Sequence, residues 1–509
     1  MLGPMPQGAY VVAMPSLKTP SSEPMRWVIL ALGTLALCFS NGVHANVVAA
    51  WVAPALMLRF VMMSPPRSGF AVTAVACAVA SFVTFRGAIP MPDVEYAVTS
   101  VISGLFGAIP YLLHRLVAPR LGGVPGSLVF PAANVTLLYV VSLGSPFGTW
   151  ANDAYVELDF LLLSELASVT GLWGVAFFVA WFGSAVQGLF ESRAPRENRA
   201  LAAFGGCLLL ALGYGTWARY TPLPPRPTVR VAALSNPSTL SDLFFQGCAS
   251  REDTTCRAEH SRARLDVLFE MSKTAAQKGA RVIVWYEGAA QYDEGLEPAF
   301  VARAQDFARQ HDVHLVAGAL QVPRDPNALM TNKAMVFTPE GRLAFEYVKS
   351  IPVPGEPIVA GKGEVQTLDT PYGRLGVIIC FDADFPALGR QASQRGVDLL
   401  LVPANDWRAI TPLHGEMTVF RAIEGGFSLV RAASNGLSVA TDARGVRLGS
   451  NDSFASPGAI LYADAPMAGR ATLYARYGDV FASLCALALA ALTTSAIGSA
   501  LRRRGEQSR

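Results

Sequence analysis

The chain has 509 residues, with 41 basic and 38 acidic side chains and a net charge of +3. Hydrophobic residues make up 52% of it and charged residues only 16%, which is too apolar for an ordinary soluble protein. We therefore expect part of the chain to lie in a membrane. The small net charge, with no basic stripe of interleaved aromatic residues in the sequence, disfavours nucleic acid as a partner.

Hydropathy divides the sequence into a membrane part and a globular part. The long apolar stretches cover 27–43, 47–63, 68–85, 97–117, 125–144, 164–190, 200–218 and 480–501. The predicted divisions are a cytoplasmic N-terminal segment (1–25), a transmembrane bundle of about seven spans (26–221), a Pro-rich linker (222–228), an extracytoplasmic globular domain (229–475), a last transmembrane span (476–501) and a cytoplasmic basic tail (502–509). The expected class is a multi-pass α-helical bundle of about eight spans that carries a globular domain.

Positive charge predicts the orientation of the bundle. Lysine and arginine are concentrated in alternate connecting segments, at Lys18, Arg26, Arg67, Arg115, Arg120, Arg193, Arg196, Arg199, Arg502, Arg503 and Arg504. By the positive-inside rule these segments are cytoplasmic, and parity places the globular part on the opposite face, the periplasmic face in a bacterium. The sequence Val43-His44-Ala45 also fits a signal-peptide cleavage site, an alternative that leaves the orientation unchanged.

The globular part alternates strand and helix patterns. Strands are predicted at 229–234, 281–285, 313–317, 334–337, 343–347, 364–369, 374–379, 399–402, 428–433 and 436–441. Helices are predicted at 259–278, 297–311, 386–395 and 413–424. This mixture is typical of a layered α/β sandwich.

Three of the seven cysteines lie outside the apolar spans. Cys248 and Cys256 bracket a short polar loop in a compartment that would be oxidising, so they are either a local disulfide or two free thiols. Cys380 has no such neighbour. A lone thiol in that compartment calls for a functional reason.

Three chemically complementary residues stand at the ends of predicted strands. Glu287 follows Val-Ile-Val-Trp-Tyr, Lys349 follows a hairpin, and Cys380 follows Gly-Val-Ile-Ile. A carboxylate can take the proton of a thiol, a lysine can stabilise an oxyanion, and a thiolate attacks carbonyl groups. Each residue alone is more simply a loop, surface or core residue.

The neighbourhoods of these residues point to a known family. Trp285-Tyr-Glu287, Tyr347-Val-Lys349 and Cys380-Phe-Asp-Ala-Asp-Phe-Pro386 resemble the signature segments of the nitrilase (carbon-nitrogen hydrolase) superfamily. The resemblance implies an αββα sandwich with Glu287, Lys349 and Cys380 as its triad. The sequence Ser168-Val-Thr-Gly-Leu-Trp-Gly174, and a domain placed before a last span, are similar to the apolipoprotein N-acyltransferase branch.

That branch implies a two-step reaction at the bacterial inner membrane. A phospholipid would donate an acyl chain to Cys380 as a thioester, and the N-terminal amine of a diacylglyceryl-cysteine lipoprotein would accept it. The resemblance assigns the oxyanion to Lys349 and the backbone N–H of Phe381, and implies no cofactor. The alternative is a membrane-anchored amidase or an acyltransferase with another acceptor. A transporter or receptor is disfavoured because all three triad residues are present.

The resemblance also names supporting residues, and the sequence departs from the family pattern at some of them. Asp382 and Glu356 are the supporting acids, Asp382 standing where the family has Glu and Glu356 lying in a shortened Pro354-Gly-Glu356. The candidates for substrate loops are Trp285, Tyr286, Asn405, Trp407 and His414. No metal is expected, because His414 has no second His, Cys or carboxylate at ligand spacing in the sequence. Loops select substrates more than they set the reaction type, so these departures bear on the substrate rather than on the chemistry.

Overall fold

A computed structural model of the chain describes residues 22–150, 152–191, 195–222, 226–237, 253–325, 327–467 and 469–507. Lys18, Arg193, Cys248 and part of the predicted linker lie outside these ranges. The helices that precede the globular part are α1 (Ser22–Cys38), α2 (Val47–Met63), α3 (Pro66–Thr84), α4 (Asp93–Leu121), α5 (Gly123–Ser127), α6 (Val129–Gly144), α7 (Leu161–Ser164), α8 (Ala167–Thr170), α9 (Leu172–Glu191) and α10 (Pro195–Tyr220).

Six helical stretches of the described residues are long and apolar enough to cross a membrane. They are Pro66–Thr84, Asp93–Leu121, Gly123–Gly144, Leu172–Phe190, Asn198–Tyr220 and Val480–Arg502. Of the two 17-residue helices, α2 coincides with the predicted span 47–63, whereas α1 (Ser22–Cys38) begins and ends earlier than the predicted span 27–43. The apolar helices are compatible with the predicted bundle, and the number of spans stays a prediction.

The predicted span 164–190 is wrong at its start, because the helix begins only at Leu172. Gly171 lies between α8 and α9 with φ +64°, a conformation that glycine adopts without steric cost. A Cβ at this position would lie 2.5 Å from the ring of Tyr474, so the bundle and the globular part touch here. The interruption of the helix at Gly171 thus allows the bundle and the globular part to approach each other closely.

The globular part contains two sheets and the helices that cover them. The strands are β1 (Thr228–Leu234), β2 (Val282–Val284), β3 (Ala290–Asp293), β4 (His314–Val322), β5 (Thr331–Phe337), β6 (Leu343–Val348), β7 (Gln366–Thr370), β8 (Gly373–Val377), β9 (Leu399–Asn405), β10 (Ser428–Ser434), β11 (Leu437–Thr441), β12 (Arg447–Asp452) and β13 (Ile460–Pro466). The helices are α11 (Thr254–Gln277), α12 (Glu297–His311), α13 (Pro386–Gln394), α14 (Leu413–Gly425) and α15 (Leu473–Tyr477), followed by α16 (Val480–Gln507).

The first sheet has the order β13-β1-β2-β4-β5-β6, with β3 also paired to β4, and the second has the order β12-β11-β10-β9-β8-β7. The central pairs β1–β2, β2–β4, β8–β9 and β9–β10 are parallel, whereas the edges are antiparallel. Glu287 comes shortly after the end of β2, and Cys380 comes shortly after the end of β8. Both residues therefore lie at the same edge of the sandwich.

The two sheets pack face to face over an aliphatic core that includes Val231, Val284, Val377 and Leu401. A second cluster, with Phe269 and other aromatic side chains of α11 and α12, covers the outer face of the first sheet. Helices α13 and α14 cover the second sheet. The predicted αββα sandwich is confirmed.

Helix α14 also belongs to the core of the helical bundle. Its side chains Met417 and Phe420 share one hydrophobic cluster with Tyr155 and Trp173, and the rings of Tyr155 and Phe420 lie 5.2 Å apart. The bundle therefore packs directly on the outer helical layer of the sandwich.

Three strands of the structure were not predicted from the sequence. β3 has only four residues, β12 is a polar edge strand, and β13 is a seven-residue edge strand, interrupted by Asp464 and ended by Pro466, that pairs with β1 from the start of the domain. Short or polar edge strands lack the apolar alternation on which a sequence prediction depends. Cys256 is disulfide-bonded, and its predicted partner Cys248 lies outside the described residues.

Candidate active site

Cys380 begins a turn of 3₁₀ helix, Cys380–Asp384, which is separated from the end of β8 by Ile378 and Ile379. Its φ is +47°, a left-handed conformation that is uncommon for a residue with a side chain. Its Sγ lies 3.7 Å from the carbonyl oxygen of Asn405, at the end of the neighbouring strand β9. Backbone strain of this kind clusters at functional sites, so the turn is a reasonable place for a nucleophile.

Lys349 lies between two carboxylates. Its Nζ is 2.8 Å from Glu287 Oε1 and 2.8 Å from Glu356 Oε2, and its side chain is almost fully buried. Burial alone would lower the pKa of Lys349, but the negative charges of the carboxylates Glu287 and Glu356, and that of Cys380 when it is a thiolate, raise it instead. The lysine is therefore a fixed cation at the pH of the cell.

Glu287 is oriented by two further donors. Asn332 Nδ2 donates to Oε1 over 2.7 Å, and the backbone N–H of Asn405 donates to Oε2 over 2.9 Å. Three donors fix the carboxylate, one of them on the same residue whose carbonyl faces the thiol. The predicted triad residues Glu287, Lys349 and Cys380 are thus brought to one edge of the sandwich.

Burial raises the pKa of the Cys380 thiol well above its ordinary value. The nearby charge of Glu287 raises it further, while Lys349 and Arg431 oppose the change. The thiol is therefore protonated at neutral pH and needs a base to become a nucleophile. Glu287 is the carboxylate whose charge the thiol senses most strongly.

Asp382 stabilises the turn Cys380–Asp384, called the nucleophile turn below, by accepting several hydrogen bonds. It accepts hydrogen bonds from Tyr347 Oη (2.7 Å), Ile379 N (3.0 Å) and Ile351 N (2.9 Å). Burial raises its pKa to about 6, and these hydrogen bonds limit the rise. Asp382 therefore joins the turn to the 350–353 loop, and Phe381 packs against Phe385 with ring centroids 5.4 Å apart.

The structure does not bring every predicted loop residue to the triad. Trp285 is fully buried beneath the first sheet, where its Nε1 donates to Ser272 Oγ over 2.8 Å. Tyr286 is also buried, and its hydroxyl donates to Asn236. Trp407 instead reaches the bundle, because its Nε1 donates over 2.9 Å to the carbonyl of Gly87, between α3 and α4.

His414 lies in a buried ionic network that the sequence analysis did not find. Its Nδ1 is 2.7 Å from Asp406 Oδ1, and its Nε2 is 3.2 Å from Asp384 Oδ1. Arg431 binds Asp406 with both terminal nitrogens, at 2.7 and 2.9 Å. Ligand atoms of Cys380, Asp406 and His414 lie within 4.8 Å of one another, because the fold brings Cys380 from a separate segment to the neighbouring Asp406 and His414. Arg431 already neutralises the carboxylate of this group, so the geometry is that of an ion network.

Only part of this network carried a sequence signal. Arg431 interrupts the otherwise apolar strand Leu429-Val-Arg-Ala-Ala433, and a charge in a buried strand requires a partner. Asp384 and Asp406 each follow a strand closely. Asn332, which orients Glu287, sits in an ordinary hairpin strand and has no such signal.

Comparison with known proteins defines the class. Residues 248–473 match the carbon-nitrogen hydrolase family, so the sandwich is a carbon-nitrogen hydrolase domain of the nitrilase superfamily. An amidase of known structure from Nesterenkonia sp. is 20% identical, with a TM-score of 0.39, covering 51% of this chain and 97% of that chain.

The comparison then extends to the whole chain. An apolipoprotein N-acyltransferase of Geobacter metallireducens is 28% identical over 479 residues, covering 86% of this chain and 88% of the relative. Omega-amidase NIT2 of Homo sapiens is 29% identical over 164 residues, which are 28% of this chain and 59% of that relative. The first match includes residues well outside the sandwich, and the predicted resemblance to the apolipoprotein N-acyltransferase family is confirmed.

Proposed function

We propose that this protein transfers an acyl chain from a membrane phospholipid, through a thioester on Cys380, to the N-terminal amine of a diacylglyceryl-cysteine lipoprotein. The observation that carries the proposal is the buried Lys349, held 2.8 Å from Glu287 and 2.8 Å from Glu356 at the edge where Cys380 emerges. The similarity of the whole chain to an apolipoprotein N-acyltransferase supports the choice of substrates.

In the first step, Glu287 accepts the thiol proton of Cys380 and the thiolate attacks the carbonyl carbon of the phospholipid ester. The ammonium of Lys349 and the N–H of Phe381 stabilise the oxyanion that forms. Collapse of this intermediate breaks the ester C–O bond and leaves the acyl group on sulfur. The lysophospholipid leaves as an alcohol after taking the proton from Glu287.

In the second step, the amine of the lipoprotein attacks the thioester. The oxyanion forms again beside Lys349, the C–S bond breaks, and Glu287 takes a proton from the attacking nitrogen. That proton returns to the sulfur, which restores the thiol. The products are an N-acylated lipoprotein and free enzyme, so atoms and charge balance over the cycle.

The membrane context supports the two lipid substrates. Positive charge in alternate segments predicts that the sandwich faces the periplasm of a bacterium, with α16 as the last span. Trp407 joins the loop after β9 to the α3–α4 connection, so the edge that carries Cys380 lies next to the bundle. Such an edge can receive an acyl chain that stays partly in the outer leaflet.

An amidase is the second candidate, favoured by the match of part of the chain to omega-amidase NIT2. Water would then replace the lipoprotein amine as the second nucleophile. Both candidates pass through a thioester on Cys380. An amidase, however, forms it from an amide, releasing an amine as the C–N bond breaks, and loses it to water.

The test uses the purified full-length chain in lipid nanodiscs of either phosphatidylethanolamine or phosphatidylglycerol, with and without a diacylglyceryl-cysteine peptide. Intact-protein mass spectrometry should detect an acyl adduct on Cys380, which the peptide removes as it becomes N-acylated. Cys380→Ala should form no adduct, whereas Cys207→Ser, at an exposed cysteine of α10, should behave as the wild type. An adduct that only water removes would contradict N-acylation of the lipoprotein and leave hydrolysis as the second step, and turnover by Cys380→Ala would contradict the covalent mechanism.

A further inference from the structure

Four buried charged groups lie behind Cys380, and the two steps above use none of them. They are Asp384, Asp406, His414 and Arg431, and each side chain is at most 3% exposed. Burying a charge is costly unless it is paired, so a network of this size requires a reason.

The network joins the two segments that carry the reacting groups. Asp384 ends the turn that Cys380 begins, and Asp406 directly follows Asn405. Asn405 in turn holds both reactants, because its N–H donates to Glu287 and its carbonyl faces Cys380 Sγ. The position of Asp384 relative to Asp406 therefore sets the position of the thiol relative to its base.

Among the contacts of the described residues, His414 is the link between these two aspartates. Arg431 binds Asp406 through both terminal nitrogens and also donates to the carbonyl of Leu437, so it anchors one end only. His414 contacts both. Its Nδ1 is hydrogen-bonded to Asp406 Oδ1 at 2.7 Å and lies 3.1 Å from Arg431 Nη2, whereas its Nε2 lies 3.2 Å from Asp384 Oδ1 as an ion-pair contact without hydrogen-bond geometry. Only the imidazolium carries the positive charge that would attract a carboxylate at each ring nitrogen.

The surroundings of His414 favour that cation. Burial alone would lower its pKa, but the charges of Asp384 and Asp406 raise it to about 9. The other titratable groups around the network are Cys380 on the nucleophile turn, Arg431 on β10, Arg421 on α14 and Tyr155 from the bundle. The ring of Trp150, centred 5.9 Å away, covers the imidazole from the bundle side.

We infer that His414, as an imidazolium, is a positioning residue that ties the nucleophile turn to the Asn405 segment and thereby holds Cys380 and Glu287 in register for proton transfer. It does not touch the substrate. The inference rests on the proposed roles of Cys380 and Glu287, and it holds whether an amine or water resolves the thioester.

The experiment measures alkylation of Cys380 by iodoacetamide in the full-length protein, read by peptide mass spectrometry from pH 6 to 10. His414→Gln keeps a polar side chain that can donate at one end only. It should slow alkylation at pH 7 roughly 10- to 100-fold and slow acyl-enzyme formation equally, with the KM for phospholipid unchanged. His311→Gln, at the far end of α12, is the matched control and should leave both rates at the wild-type value.

The pH profile separates positioning from simple support of the fold. In the wild type the alkylation rate should rise with pH as the thiol ionises and then stop rising above about pH 9, where His414 loses its proton. His414→Gln should lack this break. The alkylation rate of the variant would then increase continuously with pH, as expected for a simple thiol, and would be lower than that of the wild type.

Asp384→Asn removes the other end of the link and keeps the experiment informative if His414→Gln folds poorly. It should reproduce the slow alkylation, and the double variant should be no slower than either single one. Alkylation of folded His414→Gln or Asp384→Asn at the wild-type rate would overturn the inference. Alkylation needs no lipoprotein, so a failure of the proposed acceptor would leave this readout unaffected.

Discussion

The two helical layers of the sandwich differ in how much of their surface is buried. On the first sheet, α12 buries only Phe300, Ala304, Phe307 and Ala308 and turns its other side chains outward. On the second sheet, every residue of α14 except Glu416 is buried. The helix on the first layer, α12, is therefore amphipathic. The helix on the second layer, α14, is buried on nearly all sides, because the bundle packs on that layer.

The charges of the two layers differ in the same way. The pair Arg303–Asp266 between α12 and α11 is well exposed, with a contact of 2.7 Å. The pair Arg421–Glu424 on α14 is buried, and Glu424 Oε1 also accepts the N–H of Leu172, the first residue of α9. The buried carboxylate thus caps a helix of the bundle from within the sandwich.

The bundle also reaches the nucleophile turn. Thr149 donates to the carbonyl of Asp384 from its N–H (3.0 Å) and from its Oγ1 (2.7 Å). At Gly148, with φ +55°, a Cβ would lie 2.6 Å from the same carbonyl oxygen. The two layers therefore support the active site differently. On the side of the second sheet the bundle contacts the nucleophile turn, whereas on the side of the first sheet only the sandwich itself supports the site.

The largest expected effect tests this dependence with one substitution in each layer. Phe420→Ala opens a cavity where α14 meets Tyr155, and Phe307→Ala does so where α12 meets Phe269. Each should lower the free energy of unfolding by about 3–5 kcal/mol, measured by thermal unfolding in detergent. Phe420→Ala should also slow acyl-enzyme formation, because α14 carries His414, whereas Phe307→Ala should not. Equal loss of activity in both variants would contradict the comparison.

The sandwich was largely predictable because its central strands are continuous apolar runs and its helices have clear periodicity. The strand ends that carry Glu287, Lys349 and Cys380 followed from those strands. The enclosure of α14 was not predictable, since the sequence His414-Gly-Glu-Met-Thr-Val-Phe420 is as amphipathic as that of a helix exposed on one face. Its second apolar partner lies more than 200 residues earlier in the chain.

The ionic network was hidden for a related reason. Asp384, Asp406, His414 and Arg431 come from four elements, and parallel pairing of β9 with β8 and β10 brings them together. The spacing of these four residues in the sequence does not indicate that they lie together in the fold. Trp285 shows the converse, because a signature position in the sequence turns out to be a core side chain donating to Ser272.

An intermediate effect is expected at the contact between the bundle and the nucleophile turn. Thr149→Val removes the hydroxyl that donates to Asp384 and contacts Tyr155 Oη at 2.6 Å, while the backbone N–H bond remains. The loss should be about 1–2 kcal/mol in unfolding free energy. Iodoacetamide labelling of Cys380 should slow by roughly tenfold, since the turn loses one of its supports.

The matched control for this contact is Thr136→Val in α6. The hydroxyl of Thr136 donates within its own helix, to the carbonyl of Ala132. Its loss should leave the labelling rate of Cys380 unchanged. If Thr149→Val and Thr136→Val label equally fast, the bundle would only shield the turn and would not hold it.

The smallest expected effect lies on the open layer. Asp266→Asn removes an exposed partner of Arg303, so the free energy of unfolding should change by less than about 0.5 kcal/mol and the acylation rate should not change. Glu424→Gln is the buried counterpart, and it should destabilise by about 1–3 kcal/mol because Arg421 is left without its ion-pair partner and α9 with a weaker acceptor at Leu172. A smaller cost for Glu424→Gln than for Asp266→Asn, measured by the same thermal unfolding, would mean that the enclosure of α14 rests on apolar packing alone.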